Sequence, residues 1–162
     1  MNESLSKVDH SALRANQATI IPLLIIAFVI NVPLLVTFVG LMMIVGSALK
    51  QPGFKFIYAG SLKPRGIVKP DVIADNPEPH VFAQGMGGTV LAIAVIAFLL
   101  NNPIIGWSLT WLVIALAALN LFGGFCAGCF VYYWLGRLHL PGFTKQPPAN
   151  TFPGMKPSHK AG

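Results

Sequence analysis

The chain has 162 residues, of which 54% are hydrophobic and only 10% charged. A soluble domain carries about 25% charged residues, and one of this size cannot hide so much apolar surface. These proportions exclude a soluble enzyme, a disordered chain and a nucleic-acid-binding domain, so the net charge of +6 needs another explanation.

The charges fall into three groups. Glu3, Lys7, Asp9 and Arg14 precede the first apolar block; a central group runs from Lys50 to Glu78; Arg137, Lys145, Lys156 and Lys160 follow the last block. None interrupts residues 17–49, 81–101 or 103–136. A charge at the bilayer centre costs at least about 2.5–3.5 kcal/mol, which explains the segregation. The lipid bilayer is therefore the expected surrounding.

In chain order, block 17–49 is long for one span and short for two. Pro33 at its centre denies a helical hydrogen bond. The block predicts two helices of about 18 residues each, running from near Arg14 to near Lys50 with a turn at 31–33. Residues 51–80, rich in Gly and Pro, form a loop. Phe54, Phe56, Ile57 and Tyr58 beside Lys50 and Lys55 read as an interfacial anchor. Residues 81–101 fit one span. Residues 103–136 form one long helix, or a helix broken at Gly123-Gly124 that continues along the interface. The tail, 138–162, contains Pro141, Pro147, Pro148, Pro153 and Pro157 and favours an extended, polyproline-like course. No cleavable signal peptide is expected, because the first apolar stretch runs straight into a second.

The positive-inside rule decides between three spans and four. Four spans place all eleven Lys and Arg on one side, whereas three would put Lys7 and Arg14 outside. The predicted architecture is an all-α integral membrane protein with four transmembrane helices as two helical hairpins and both termini cytoplasmic. Its membrane domain is 1–137 with a cytoplasmic loop at 51–80, and 138–162 is a cytoplasmic tail.

Cys126 and Cys129 are the only cysteines. Three readings are open. They are small packing residues; or a thiol pair for disulfide exchange or sulfur transfer, for which a helix restarting after Gly123-Gly124 would supply an amino-terminal position, with Arg14 or Arg137 as cation; or half of a metal site that His10, His80 or His139 could complete. The cytosol keeps thiols reduced, so a permanent structural disulfide is not expected there. Gln84 and Asn120 are polar within apolar spans and suit interhelical hydrogen bonds. Gly124 and Gly128 form a small-residue step for helix packing within the chain or for self-association. No ionisable residue lies at mid-span, which argues against ion-coupled transport, and no histidine lies inside a span to ligate haem.

Val8-Asp9, Arg14-x-Asn16-Gln17, Phe82-Ala83-Gln84 and Asn120 ahead of Gly124-Phe125-Cys126-x-Gly128-Cys129-x-x-Tyr132 together resemble a family of small bacterial membrane proteins, domain of unknown function 4395. The resemblance implies a multi-span protein of the bacterial cytoplasmic (inner) membrane and carries no established activity or cofactor. The leading expectation is a thiol protein in which Cys126 and Cys129 handle electrons or sulfane sulfur at the cytoplasmic face. Arg14, Gln84 and Asn120 would orient the thiols. The alternative is a non-catalytic accessory subunit clamping partners in a larger membrane complex.

Overall fold

The computed structural model describes residues 6–55, 58–62, 70–138, 140–148 and 151–157. Strand β1 (Ser6–Asp9) leads into α1 (His10–Val29) and α2 (Pro33–Ala48); a short π-helical turn (Tyr58–Leu62) and β2 (Val72–Asp75) follow. Then come α3 (Pro77–Leu99), α4 (Pro103–Gly123) and α5 (Ala127–Arg137). The long helices make two antiparallel hairpins, α1–α2 and α3–α4. Three of them, α1, α3 and α4, are long and apolar enough to cross a membrane; α2 is apolar but has 16 residues. The 17–49 block thus splits unevenly, and α3 begins at Pro77, inside the stretch expected to be loop.

Both hairpins turn by the same device. Residues 25–33 read Ile-Ile-Ala-Phe-Val-Ile-Asn-Val-Pro, and residues 95–103 read Val-Ile-Ala-Phe-Leu-Leu-Asn-Asn-Pro. Asn31 and Asn101 adopt left-handed backbone angles (φ 53° and 57°), which Asn tolerates better than most residues. Val32 N–H donates to Ala27 C=O and Asn102 N–H to Ala97 C=O, both at 2.9 Å. Pro33 and Pro103 then start the second helix, where a missing N–H costs nothing. This offset of 70 residues relates α1 to α3 and α2 to α4. Packing obeys the same symmetry: α2 lies against α3 as α4 lies against α1, closing a four-helix ring.

The core of the ring is Ile20, Leu24, Val36, Val39, Leu91 and Val113, all buried. Leu34, Leu99, Ile104 and Phe122 point outward and are more than two-thirds exposed, as lipid-facing residues are. Gly88 lets α2 approach α3, since a Cβ there would sit 2.8 Å from Ile44. Among the segments that complete the base, β1 pairs antiparallel with β2, Ser6 opposite Asp75 and Asp9 opposite Val72. Asp9 caps α1 by accepting from Ser11 N–H (3.0 Å), and it also accepts from Tyr58 hydroxyl (2.8 Å) and Asp71 N–H (3.2 Å). The expected interfacial anchor is not one where it is described: Phe54 and Tyr58 are buried against the bundle. Phe56 and Ile57 lie outside the described residues. Phe54 N–H donates to Asn16 (2.9 Å), and this bond draws the ring into the core.

Candidate functional site

The site is built at the base, where α4 ends. Gly124 takes a left-handed angle (φ 64°) and its N–H closes α4 on Asn120 C=O. This is the helix-ending role that glycine performs without a Cβ penalty. The next helix starts after three residues, 124–126, so the long apolar block is two helices. Cys126 is the N-cap of α5, and its sulfur accepts from Cys129 N–H at 3.2 Å. Cys126 and Cys129 are bonded as a disulfide. Both are buried, at 5% and 3% exposure. Gly128 holds α5 on α3: a Cβ there would lie 2.6 Å from Ala83 Cα. The Gly124-Gly128 step is therefore not one packing face, because Gly124 ends one helix and Gly128 lies in the next.

Three further residues converge on the pair from remote parts of the chain. His80, in the first turn of α3, places Nδ1 at 3.4 Å from Cys129 Sγ. Its Nε2 lies 3.0 Å from Asp75 Oδ2 at the end of β2. His10, the first residue of α1, brings Nε2 to 3.1 Å from the same oxygen. The two histidine rings meet edge to face at 5.5 Å. They stand 70 residues apart, in register with the helix repeat, so one buried carboxylate sits between repeat-related imidazoles. Asn76 N–H donates to the other carboxylate oxygen at 2.8 Å.

Asp75 stays ionised. Burial alone would raise its pKa, but the imidazoles of His10 and His80 set against Oδ2 and the Asn76 N–H on Oδ1 outweigh that and hold it well below the usual carboxylate range. An anionic Asp75 accepts Nε2–H from His80, so Nδ1 is the ring nitrogen that faces Cys129. Burial, reinforced by Asp75, pushes the neighbouring Tyr133 hydroxyl up to about 12, so it remains neutral. Asn76 Nδ2 reaches that hydroxyl at 3.4 Å and the Gln146 carbonyl at 2.8 Å.

The Pro-rich tail closes over this arrangement. Cys126 N–H donates to Gly154 C=O (2.7 Å) and Lys156 N–H to Gly124 C=O (3.0 Å). Lys156 Nζ pairs with Asp71, and Phe152 stacks on Phe130. The tail turns at Leu140–Phe143 and at Phe152–Met155 rather than running extended throughout, and it is held by this chain's own residues. Beside the disulfide remains a cavity of about 240 Å³, bordered by His10, Arg14, Gln17, His80, Asn120 and Lys156 among others. A second, narrower cavity of about 110 Å³ leads from Cys126 and Asn120 between the helices toward Val90 and Val113. Gln17 borders both, and its Oε1 is buried with no partner among the described residues.

Of the residues singled out from sequence, Arg14 and Asn120 border the disulfide cavity. Gln84 does something else. Its amide donates to Met43 C=O (3.0 Å) and Gln51 C=O (3.1 Å) and accepts from Gly53 N–H (3.2 Å), pinning the exit of α2. His80, which touches the sulfur, was legible as a residue that could join the cysteines at a metal, whereas Asp75, which supports it, carried no sequence signal. His139 lies outside the described residues.

No curated protein and no solved structure matches this chain. The sequence model of one family does match, over residues 8–137, a stretch that contains all four long helices, both histidines, Asp75 and the cysteine pair. The chain belongs to the family described as domain of unknown function DUF4395.

Proposed function

We propose that this membrane protein is a dithiol–disulfide carrier that exchanges two electrons with a partner thiol at the base of the bundle. One observation carries the reading: His80, its tautomer set by Asp75, faces Cys129 at 3.4 Å while Cys126 occupies the N-cap of α5. A helix amino terminus favours a thiolate, so Cys126 is the exchanging sulfur. An incoming thiolate attacks Cys126 Sγ and forms a mixed disulfide. The Cys126–Cys129 bond breaks, and Cys129 leaves as a thiolate that takes a proton from solvent, with His80 Nδ1 beside it to pass that proton on. A second partner thiolate then releases reduced Cys126 and departs as the oxidised partner. Arg14 and Lys156 border the cavity through which such a thiol would approach, and their charge favours an anionic one. In a four-span topology all eleven Lys and Arg fall on the side of the cysteine pair, so the positive-inside rule supports a cytoplasmic site in a bacterial inner membrane.

The test is a redox titration of the detergent-solubilised chain, metal-free, against dithiol buffers of stepped potential, followed by alkylation and mass measurement. One reversible transition involving two thiols is expected. A disulfide that resists reduction until the bundle unfolds would overturn the reading. So would a Cys126→Ser, Cys129→Ser chain that fully complements a deletion strain; that result supports an accessory role in a larger complex. An extra sulfur on Cys126 in the isolated chain would make sulfane sulfur, not electrons, the cargo.

A further inference from the structure

The reduced pair has a second capacity that does not depend on electron exchange. The Sγ atoms of Cys126 and Cys129 and a ring nitrogen of His80 all lie within 4.8 Å of one another. Two thiolates and an imidazole at that spacing are the donor set that thiophilic d¹⁰ ions prefer. Zn²⁺ is bound by Cys sulfur at about 2.3 Å and His nitrogen at about 2.0–2.1 Å, so donors around one ion stand about 3.5–4 Å apart. His80 Nδ1 is already 3.4 Å from Cys129 Sγ. Breaking the disulfide lets the two sulfurs separate to that spacing by side-chain rotation.

The surroundings fit an ion as well. A metal-bound histidine almost always donates its other N–H to a carboxylate or carbonyl, which fixes the ring and raises its basicity. His80 does this through Nε2 to Asp75, which is buried and backed by His10 and the Asn76 N–H. The cluster His10, Asp75 and His80 is also compact enough to hold an ion. An ion there would take the Nε2 atoms that now satisfy the carboxylate. An ion on the sulfur side leaves those contacts intact. The same cavity of about 240 Å³ borders Cys126, Cys129 and His80, so a fourth position would open onto it.

We infer that the reduced Cys126–Cys129 pair, with His80 Nδ1, is a binding site for one thiophilic d¹⁰ cation, and that disulfide formation ejects the ion. Reduction converts the disulfide to two thiols with two electrons and two protons from a dithiol donor. Binding of the ion then releases the two thiol protons, so affinity rises with pH. The site would make the redox state of the pair a switch for metal retention.

The experiment uses the full chain in detergent, reduced with a phosphine that does not compete for the ion, then titrated with Zn²⁺, Cd²⁺ or Cu(I) alone. One ion per reduced chain and none per oxidised chain is expected, with a cadmium–thiolate absorption band and protection of both cysteines from alkylation. Asp75→Asn should weaken binding about 10–100-fold, as loss of a carboxylate behind a ligand histidine does. His80→Ala should weaken it at least as much, and helical circular dichroism checks that both variants fold. If the reduced chain takes no ion, if the oxidised chain binds equally, or if folded His80→Ala binds as tightly as the parent, the site is overturned. A chain that cycles its disulfide without binding metal sinks this inference alone. A chain that binds metal but cannot cycle sinks only the carrier reading.

Discussion

The two hairpins share a turn, a direction and a packing partner, yet they end differently. Where α2 leaves the ring, Gln84 and Asn16 bind the backbone of Met43, Gln51, Gly53 and Phe54, and the exit is sealed. Where α4 leaves it, Arg14 holds the position that corresponds to Gln84 by the 70-residue offset. Arg14 borders a cavity there and is exposed. A short amide reaches three backbone groups at once; a long guanidinium has only donors and carries charge to water. One substitution between repeats thus separates a structural end from a chemical one, and the disulfide lies at the unsealed end.

The largest expected effect falls on the cysteines. Cys126→Ser or Cys129→Ser should abolish the two-electron couple outright, read by alkylation and mass, while helical circular dichroism of both hairpins persists. Next come the glycines that let the chain pack closely beyond each exit. Gly128→Val drives a side chain into Ala83 backbone, and Gly46→Ala drives one to 2.6 Å from Gly53 Cα. Each should cost about 1–3 kcal/mol by overpacking. Only Gly128→Val should also separate Cys129 from His80 and alter the pH profile of thiol exchange. Equal redox effects from both would break the comparison between the two ends.

Gln84→Ala leaves backbone groups of Met43, Gln51 and Gly53 at the α2 exit without this partner and should cost about 1–3 kcal/mol, read by denaturant unfolding. Arg14→Ala, its repeat counterpart, should stay within about 0.5 kcal/mol of the parent, yet slow exchange with an anionic thiol. Equal destabilisation would mean that the α4 exit is sealed as well.

Acid should act through Asp75. Its pKa is depressed in the folded chain, so its stabilisation is complete above the ordinary carboxylate value of about 4 and is lost as pH falls below that. Asp75→Asn should flatten this acid limb of an unfolding-versus-pH curve and leave the α2 exit unaffected.

Much of this was legible in the residues one by one. Pro33 announced the first turn and the uninterrupted apolar blocks the membrane helices, while Gly123-Gly124 left a continuous and a restarted helix both open until the structure showed Cys126 as an N-cap. These are local consequences of backbone chemistry and hydropathy. Gln84 was legible as polar within a span but not as the seal of α2, because its partners are backbone groups 31 to 41 residues away. The tail's prolines indicated an extended strand, and nothing in their spacing pointed to Gly154 docking on Cys126.

The amino-acid sequence alone determined that the chain lives in a membrane, that its charges fall outside the apolar spans, and that its two cysteines stand three residues apart just after a Gly-Gly pair. Those properties depend on composition and on neighbours within a turn or two. Only the tertiary structure decided that His10, Asp75 and His80 meet beside the sulfur. Pairing of β1 with β2 and closure of the ring bring three distant helix and strand ends to one point, and burial there holds one carboxylate ionised between two imidazoles.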